Sequence, residues 1–288
     1  MHPIDTNTQL CGVIGNPVDH SRSPRIHNAG YAALDLNFVY LAFEVSDVSG
    51  CLAGMRALLN FRGLSVTIPH KLAVMEHLDE LEPMAEKAGS VNTITHEGGR
   101  LIGSTTDGPG AVRAFDDAGV QLLGRRVLVL GSGGAARAVA FAIADMCSPS
   151  EITILGRTPE RVSALVEDLR AKTPGAFAAG DIQADIERAM GEHEVIIQGT
   201  PVGMGPDGSR ASCVPPGTLR PDHVVFDMVY SPNRTKLIAD AEALGCTVIY
   251  GIEMLLNQAA LQFERWTGKG APLQAMRAAL GSFENDLT

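Results

Sequence analysis

The chain has 288 residues, enough for two domains with cores of their own rather than one small disulfide-stapled scaffold. Apolar residues make up 45% and charged residues 19%, a balance too rich in core formers for a largely disordered chain. With 33 acidic against 23 basic residues the formal charge is −10, so no global positive field draws in nucleic acid or anionic lipid, and an anionic ligand needs a local site.

Apolar runs alternate with helical patterns along the whole chain, the signature of α/β layering. Residues 11–15 read as a first short strand. Ser23 followed by Pro24 reads as the N-cap and first residue of a helix over 23–36, with Ile26, Ala29, Gly30 and Ala33 on one face. Residues 37–45 read as a strand, 47–59 as an amphipathic helix burying Val48, Leu52, Met55 and Leu59, and 63–68 as a strand stopped by Pro69. Residues 93–96 and 100–103, joined by Glu97-Gly98-Gly99, read as a hairpin. The first hundred residues thus combine parallel crossovers with an antiparallel edge.

A second series opens at Gly108 with a helix to residue 118. Short strands follow at 127–130, 152–155, 195–197, 224–227 and 247–249, with helices between them. Residues 127–130 are apolar throughout, as suits a strand covered on both faces, and this half reads as a doubly wound sheet. Helices over 253–266 and 271–283 follow with no further strand, which returns the chain to the first domain. The Gly- and Pro-rich stretch 201–221 is the one long loop.

The strand 127–130 runs straight into Gly131-Ser132-Gly133-Gly134-Ala135-Ala136 and then into an alanine-rich helix, a G-x-G-x-x-A turn in strand-turn-helix context. Gly131 permits the tight turn, Gly133 lets backbone approach a pyrophosphate, and Ala136 allows close helix packing, while the first N–H groups of the helix meet the anion. At the end of the next strand, where an NAD enzyme carries Asp or Glu, stands Gly156-Arg157-Thr158. Thr158 and Pro159 read as an N-cap and first helical residue, which puts Arg157 and Arg161 at a positive helix end. The 2′-phosphate of NADP would relieve that conflict; a solvated surface pair is the plainer alternative.

Ser21 and Ser23 stand two apart before a helix start. In an extended segment both hydroxyls face one way, suited to a small carboxylate; a plain N-cap and a turn residue fit the spacing equally. Lys71 and Asp107 follow strand ends and offer a proton-handling pair, as would many charge pairs. His20, His27 and His70 show no metal spacing and fit helix-face or capping roles, so no metal is expected. Five scattered cysteines, Cys11, Cys51, Cys147, Cys213 and Cys246, point to reduced and mostly buried thiols. Residues 1–15 lack the flank and apolar run of a signal peptide, and no stretch approaches the ~18 apolar residues of a membrane span. A soluble cytoplasmic protein is expected.

Several segments together resemble the shikimate dehydrogenase family: Gly-Asn-Pro-Val-x-His-Ser-x-Ser-Pro (15–24), Ser-Val-Thr-Ile-Pro-x-Lys (65–71), Gly-Ser-Val-Asn-Thr (89–93), Thr-Asp-Gly (106–108), Gly-Ser-Gly-Gly-Ala (131–135), Gly-Arg-Thr (156–158), Thr-Pro-Val-Gly-Met (200–204), Asp-Met-Val-Tyr (227–230) and Met-Leu-x-x-Gln-Ala-Ala (254–260). They run in order over nearly the whole chain. The resemblance implies NADPH-dependent, reversible reduction of 3-dehydroshikimate to shikimate, a step of aromatic amino-acid biosynthesis. It implies two α/β domains separated by a cleft: an N-terminal substrate domain with a mixed sheet (1–107 plus 251–288) and a Rossmann-type doubly wound NADP domain (108–250).

The resemblance further implies that Ser21 and Ser23 bind the substrate carboxylate. Thr67, Lys71, Asn92, Asp107, Tyr230 and Gln258 match the positions around the ring, with Lys71 and Asp107 the catalytic pair. Without the family, Gln258 is the polar edge of a helix with the stripe Ile252, Leu255, Leu256, Ala259 and Phe263, Tyr230 a buried aromatic, and Asn92 a turn residue. The implied cofactor positions are Gly131, Ser132, Gly133, Gly134, Ala135, Gly156, Arg157, Thr158, Arg161, Thr200, Met228 and Gly251. Three places depart from the usual pattern: Ser104-Thr105 before Thr106-Asp107-Gly108, Gly156 in place of Asn, and Gln198-Gly199 before Thr200. A quinate or aminoshikimate paralogue shares the same grip. A catalytically silent NADP-binding sensor is disfavoured by the presence of Lys71 and Asp107. The expected assembly is a monomer or homodimer, with no nucleic-acid partner.

Overall fold

The computed structural model describes residues 2–205 and 211–281. Part of the expected loop 201–221 and the end of the expected helix 271–283 lie outside the described residues. Contacts divide the chain into two compact units, one running to Thr106 and resuming at Leu256, the other Asp107–Leu255.

The first unit is built on a six-stranded mixed sheet. In chain order it contains β1 (Gln9–Gly15), α1 (Ser23–Ala33), β2 (Phe38–Glu44), α2 (Val48–Ala57), β3 (Phe61–Val66), β4 (Glu80–Leu81), α3 (Pro83–Ala88), β5 (Thr93–Glu97) and β6 (Arg100–Ser104). Strand order is β2-β1-β3-β5-β6-β4. β1 pairs in parallel with β2 and β3, β5 is antiparallel to both β3 and β6, and β4 is parallel to β6. The C-terminal ends of β1, β3 and β6 and the start of β5 therefore share one edge. One apolar cluster of this unit gathers Ile14, Leu52, Met55, Leu64, Val66, Ile94 and Leu101.

Several local expectations change. The α1 N-cap is Arg22, in helical backbone, with no side-chain cap; Ser23 already belongs to the first turn. The buried face of α1 is Ser23, Ile26, His27, Gly30 and Tyr31, and Ala33 is exposed. α2 ends before Leu59, which is 89% exposed, and Asp47 caps it by accepting from the Gly50 N–H (2.9 Å). Ile68 lies beyond β3 and is exposed. His27 takes the helix-face role expected of it, buried on α1 and stacked on Tyr40 with centroids 4.3 Å apart. Burial pushes its pKa down to about 3. His70 donates its Nε2–H to the Val45 carbonyl (2.7 Å), and His20 lies exposed beside Asp19. Cys11 is buried and the other four cysteines are half-buried.

The second unit is an all-parallel sheet. It contains α4 (Asp107–Asp117), β7 (Arg126–Leu130), α5 (Gly134–Met146), β8 (Glu151–Gly156), α6 (Pro159–Lys172), β9 (Phe177–Asp181), α7 (Ile182–Glu192), β10 (Val195–Gln198), β11 (Val224–Asp227), α8 (Lys236–Ala243) and β12 (Thr247–Tyr250). The order β12-β11-β10-β7-β8-β9 reverses direction between β7 and β10. Doubly wound sheets bind ligands at the C-terminal strand ends beside such a switch point.

Helix α9 (Gly251–Thr267) starts within the second unit and continues into the first, followed there by α10 (Leu273–Gly281). Its expected stripe is too narrow: Met254, Asn257, Gln258, Ala260, Gln262 and Trp266 are buried as well as Leu256, Ala259 and Phe263, while Ile252 and Leu255 are only half-buried. Trp266 donates its indole N–H to the Ile94 carbonyl (3.2 Å) and fills the space above Gly63. A β-carbon at Gly63 would fall 1.9 Å from the indole nitrogen. We predict that Gly63→Ala destabilises the protein by about 1–3 kcal/mol through overpacking. Thermal melting would show this as a Tm lower by several degrees, and an unchanged Tm would contradict the packing described.

Candidate active site

The expected substrate residues of the first unit gather at the shared sheet edge. After β1 the chain turns through Ser21, whose N–H donates to the Val18 carbonyl (3.0 Å) and whose hydroxyl accepts from the Ser23 N–H (3.4 Å). The two serines do not project together from an extended segment, because Arg22 between them is helical. Ser23 instead stands buried in the first turn of α1, beside N–H groups with no side-chain cap. After β3, Thr67 donates its N–H to the Ile14 carbonyl (2.9 Å), and the Lys71 carbonyl accepts from the Val91 N–H (3.0 Å). The lysine loop is thereby tied to the start of β5.

Asn92 is held on several sides. It is 3% exposed, and its Oδ1 accepts from the Thr106 N–H and the Thr93 hydroxyl, both at 2.7 Å. Its Nδ2 donates to Thr106 Oγ1 (3.0 Å). Gln258 is buried on α9, not the polar edge that periodicity suggested. Gln262, Thr93, Ser65 and Tyr40 form a buried polar set behind Asn92 that sequence reasoning missed. Asn92, Ser65 and Thr93 fall within segments of the family pattern, but nothing in the sequence marks Tyr40 or Gln262 or links the four.

In the second unit the glycine turn and the strand ends meet at the switch point. Gly131 has φ +114°, a left-handed backbone that glycine alone adopts readily. A β-carbon there would lie 2.9 Å from the Gly199 carbonyl and 3.2 Å from Thr200, so the ends of β7 and β10 touch. A β-carbon at Gly199 would lie 3.2 Å from Met228 Sδ, and one at Gly251 would lie 2.7 Å from the Met228 carbonyl. Gly131, Thr200, Met228 and Gly251 are thus brought together. Gly156 stands beside Ser132, with Arg157, Thr158 and Arg161 following it, exposed, at the start of α6. Thr158 is the N-cap there, without a side-chain hydrogen bond. Asp107 is the buried first residue of α4, and Tyr230 is half-buried after β11.

These residues fit a dinucleotide. β-carbons at Gly133 and Gly134 would meet nothing within 4 Å, leaving room for a pyrophosphate against the backbone, and the first turn of α5 has no side-chain cap. A separate cavity of about 400 Å³, lined by Val112, Phe115, Leu122 and Met146 among others, adjoins the start of β7 and contains none of these residues.

Family models for the shikimate dehydrogenase substrate binding domain and the shikimate 5′-dehydrogenase C-terminal domain match residues 13–94 and 251–280. A protein of Moorella thermoacetica named shikimate dehydrogenase (NADP(+)) is 41% identical over 293 aligned residues, covering 98% of this chain and 97% of its own. The chain belongs to the shikimate dehydrogenase family. Shikimate 5-dehydrogenase of Listeria monocytogenes, solved in complex with shikimate and NAD, superposes with TM-score 0.91 at 36% identity, covering 97% of this chain and 99% of that one. Quinate dehydrogenase of Corynebacterium glutamicum, solved with NAD, superposes with TM-score 0.89 at 29% identity over 96% of this chain and 99% of that one.

Two of the departures from the shikimate dehydrogenase pattern have a structural account. The Gln198 side chain is buried and closes the loop after β10: its amide donates to the Thr200 and Val202 carbonyls (2.9 Å each) and accepts from the Thr200 N–H (2.7 Å). Gly156 is packed so that a β-carbon would lie 2.7 Å from Val162, so a larger residue there requires Val162 to move. The Ser104-Thr105 pair has no such account; the buried Thr105 hydroxyl lacks a hydrogen-bond partner among the described residues.

Asp227 opens the family's Asp-Met-Val-Tyr segment. It accepts from the Thr235 hydroxyl (2.6 Å) and the Val229 N–H (3.0 Å), yet burial outweighs these donors and pushes its pKa up to about 6. Between about pH 4 and 6 the folded chain therefore keeps a proton that the unfolded chain releases, and this group's contribution to stability falls as pH rises. The window is worth on the order of 3 kcal/mol. We predict that Asp227→Asn removes this dependence, so that melts from pH ~4 to ~7 show the variant gaining on the parent as pH rises. A constant difference would contradict the assignment.

Proposed function

We propose that this chain catalyses the NADP-dependent, reversible reduction of 3-dehydroshikimate to shikimate. The observation that carries the reading is Asn92 held at one sheet edge with the Ser21, Ser23, Thr67 and Lys71 segments, in a chain that also keeps an open glycine turn at a switch point. Ser21 and Ser23 take the substrate carboxylate, assisted by the positive end of α1. Thr67, Asn92, Tyr230 and Gln258 hydrogen-bond the ring hydroxyls.

The glycine turn 131–135, Gly156, Arg157, Thr158, Arg161, Thr200, Met228 and Gly251 hold the dinucleotide. No acidic residue ends β8, and the guanidinium groups of Arg157 and Arg161 suit a 2′-phosphate, which favours NADP over NAD. Bound NADPH supplies the hydride to the ketone carbon. Lys71, as ammonium, gives its proton to the ketone oxygen as negative charge develops there, with Asp107 as its carboxylate partner. Shikimate oxidation runs the same transfer backwards and needs the neutral amine, so the oxidative rate rises with pH. The proposed enzyme is cytoplasmic and acts as monomer or homodimer; among the described residues no helix is long and apolar enough to cross a membrane.

The test is the initial rate of NADPH formation from shikimate and NADP, with quinate and NAD in parallel. We predict that shikimate with NADP is the fastest pair. Faster turnover of quinate or of NAD would assign the chain to the quinate branch represented by its Corynebacterium neighbour. No turnover with tight NADPH binding would make it a silent sensor.

A further inference from the structure

The buried polar set behind Asn92 has a direction, and one backbone group determines it. The Thr106 N–H can only donate, so the Asn92 atom 2.7 Å from it is the carbonyl oxygen, Oδ1. Thr93 Oγ1 also lies 2.7 Å from that oxygen, which cannot donate, so the Thr93 hydroxyl spends its single proton there. Thr93 must then accept from Gln262, and the Gln262 atom 2.9 Å away is its amide nitrogen, Nε2. The same nitrogen reaches the Asn92 main-chain carbonyl (3.3 Å). With Nε2 committed to β5, Gln262 Oε1 faces β3 and accepts from the Ser65 hydroxyl (2.8 Å), which accepts in turn from the Tyr40 hydroxyl (2.5 Å). Every proton therefore points one way, from Tyr40 through Ser65, Gln262 and Thr93 to Asn92.

All five side chains are buried, with Gln262 1%, Thr93 0% and Tyr40 0% exposed. A buried polar group that loses its partner is expensive, so reversing one link would leave two donors or two acceptors face to face. Flipping the Asn92 amide would set its NH2 group against the Thr106 N–H and would take from the Thr93 hydroxyl its 2.7 Å acceptor.

We propose that Thr93 and Gln262 are positioning residues that hold Asn92 with its amide NH2, rather than its carbonyl, as the group offered to a substrate oxygen. The proposal rests on the reading of Asn92 as a substrate contact. It assigns to that subsite a ligand oxygen with a lone pair to give, a hydroxyl or carbonyl, and rejects a group that can only donate, such as an ammonium.

The experiment compares the full chain with Thr93→Val, which keeps the shape and loses the hydroxyl, and with Thr93→Ser, which keeps the hydroxyl. Steady-state shikimate oxidation with NADP and a thermal melt are recorded for each. The expected result is a KM for shikimate raised about tenfold in Thr93→Val, with the KM for NADP unchanged and with Thr93→Ser within about twofold of the parent. In Gln262→Glu the introduced carboxyl accepts from Ser65 in either state but donates to Thr93 only when protonated. Its KM for shikimate should therefore fall as pH is lowered, relative to the parent at the same pH.

An unchanged KM for shikimate in Thr93→Val would overturn the proposal. So would a serine variant as impaired as the valine one, or KM values for both substrates rising together with a lowered Tm. Absence of shikimate turnover in the parent chain would overturn the proposed function itself, an outcome separate from these.

Discussion

The indole of Trp266 lies over β3 in the space left by Gly63 and donates its N–H to the Ile94 carbonyl on β5. This contact sets how near α9 comes to the first sheet. Gln258, Gln262 and Trp266 recur every four residues and so share one face of that helix. With Trp266 seated, Gln262 one turn earlier reaches Ser65 on β3 and Thr93 on β5 at once, bridging the two antiparallel strands that carry the Lys71 loop and Asn92. The geometry around the substrate residues thus comes from a helix more than 150 residues away in sequence from the strands it braces. A glycine, an indole and an amide do what no local interaction could.

Each unit meets the problem of an acidic chain handling anionic ligands in its own way. The net charge of −10 gives no general attraction, so partial positive charge is supplied where backbone N–H groups converge. In the first unit that place is the start of α1, where no side chain caps the helix and Ser21 and Ser23 stand beside it. In the second it is the start of α5 behind Gly133, and the arginines opening α6. Other helix ends are treated differently: Asp47, Asp181 and Thr235 cap α2, α7 and α8 with their own side chains. The ends at the candidate ligand positions, those of α1, α5 and α6, carry no side-chain cap, and neither does the short α3.

Much of this was legible in the sequence where the signal is local. The apolar strands of the second sheet, the Gly131 turn and the hairpin of β5 and β6 are encoded in runs of a few residues, and the structure places them within one or two residues of expectation. Elements too short to show a period were not legible: β4 has two residues and α3 six, and β9 reads Phe-Ala-Ala-Gly-Asp, without an apolar run. Ser23 was misplaced because an N-cap depends on where the helical backbone begins, and Arg22 is already helical. Leu59 was misread because its pattern ran past the end of α2, and Ala33 because the buried face of α1 ends at Tyr31, before the helix does. The chain of hydrogen bonds from Tyr40 to Asn92 left no trace in any window, since its central links join residues 169 and 197 positions apart.

The central claim is that this fold performs proton transfer at Lys71. The most direct measurement is the turnover of shikimate and NADP by Lys71→Ala, with shikimate and NADP binding measured alongside by titration. The account predicts kcat lower by about 10²–10⁴, the usual worth of a general acid or base, with NADP affinity retained. Near-parental turnover in that variant, with both ligands still bound, would contradict it.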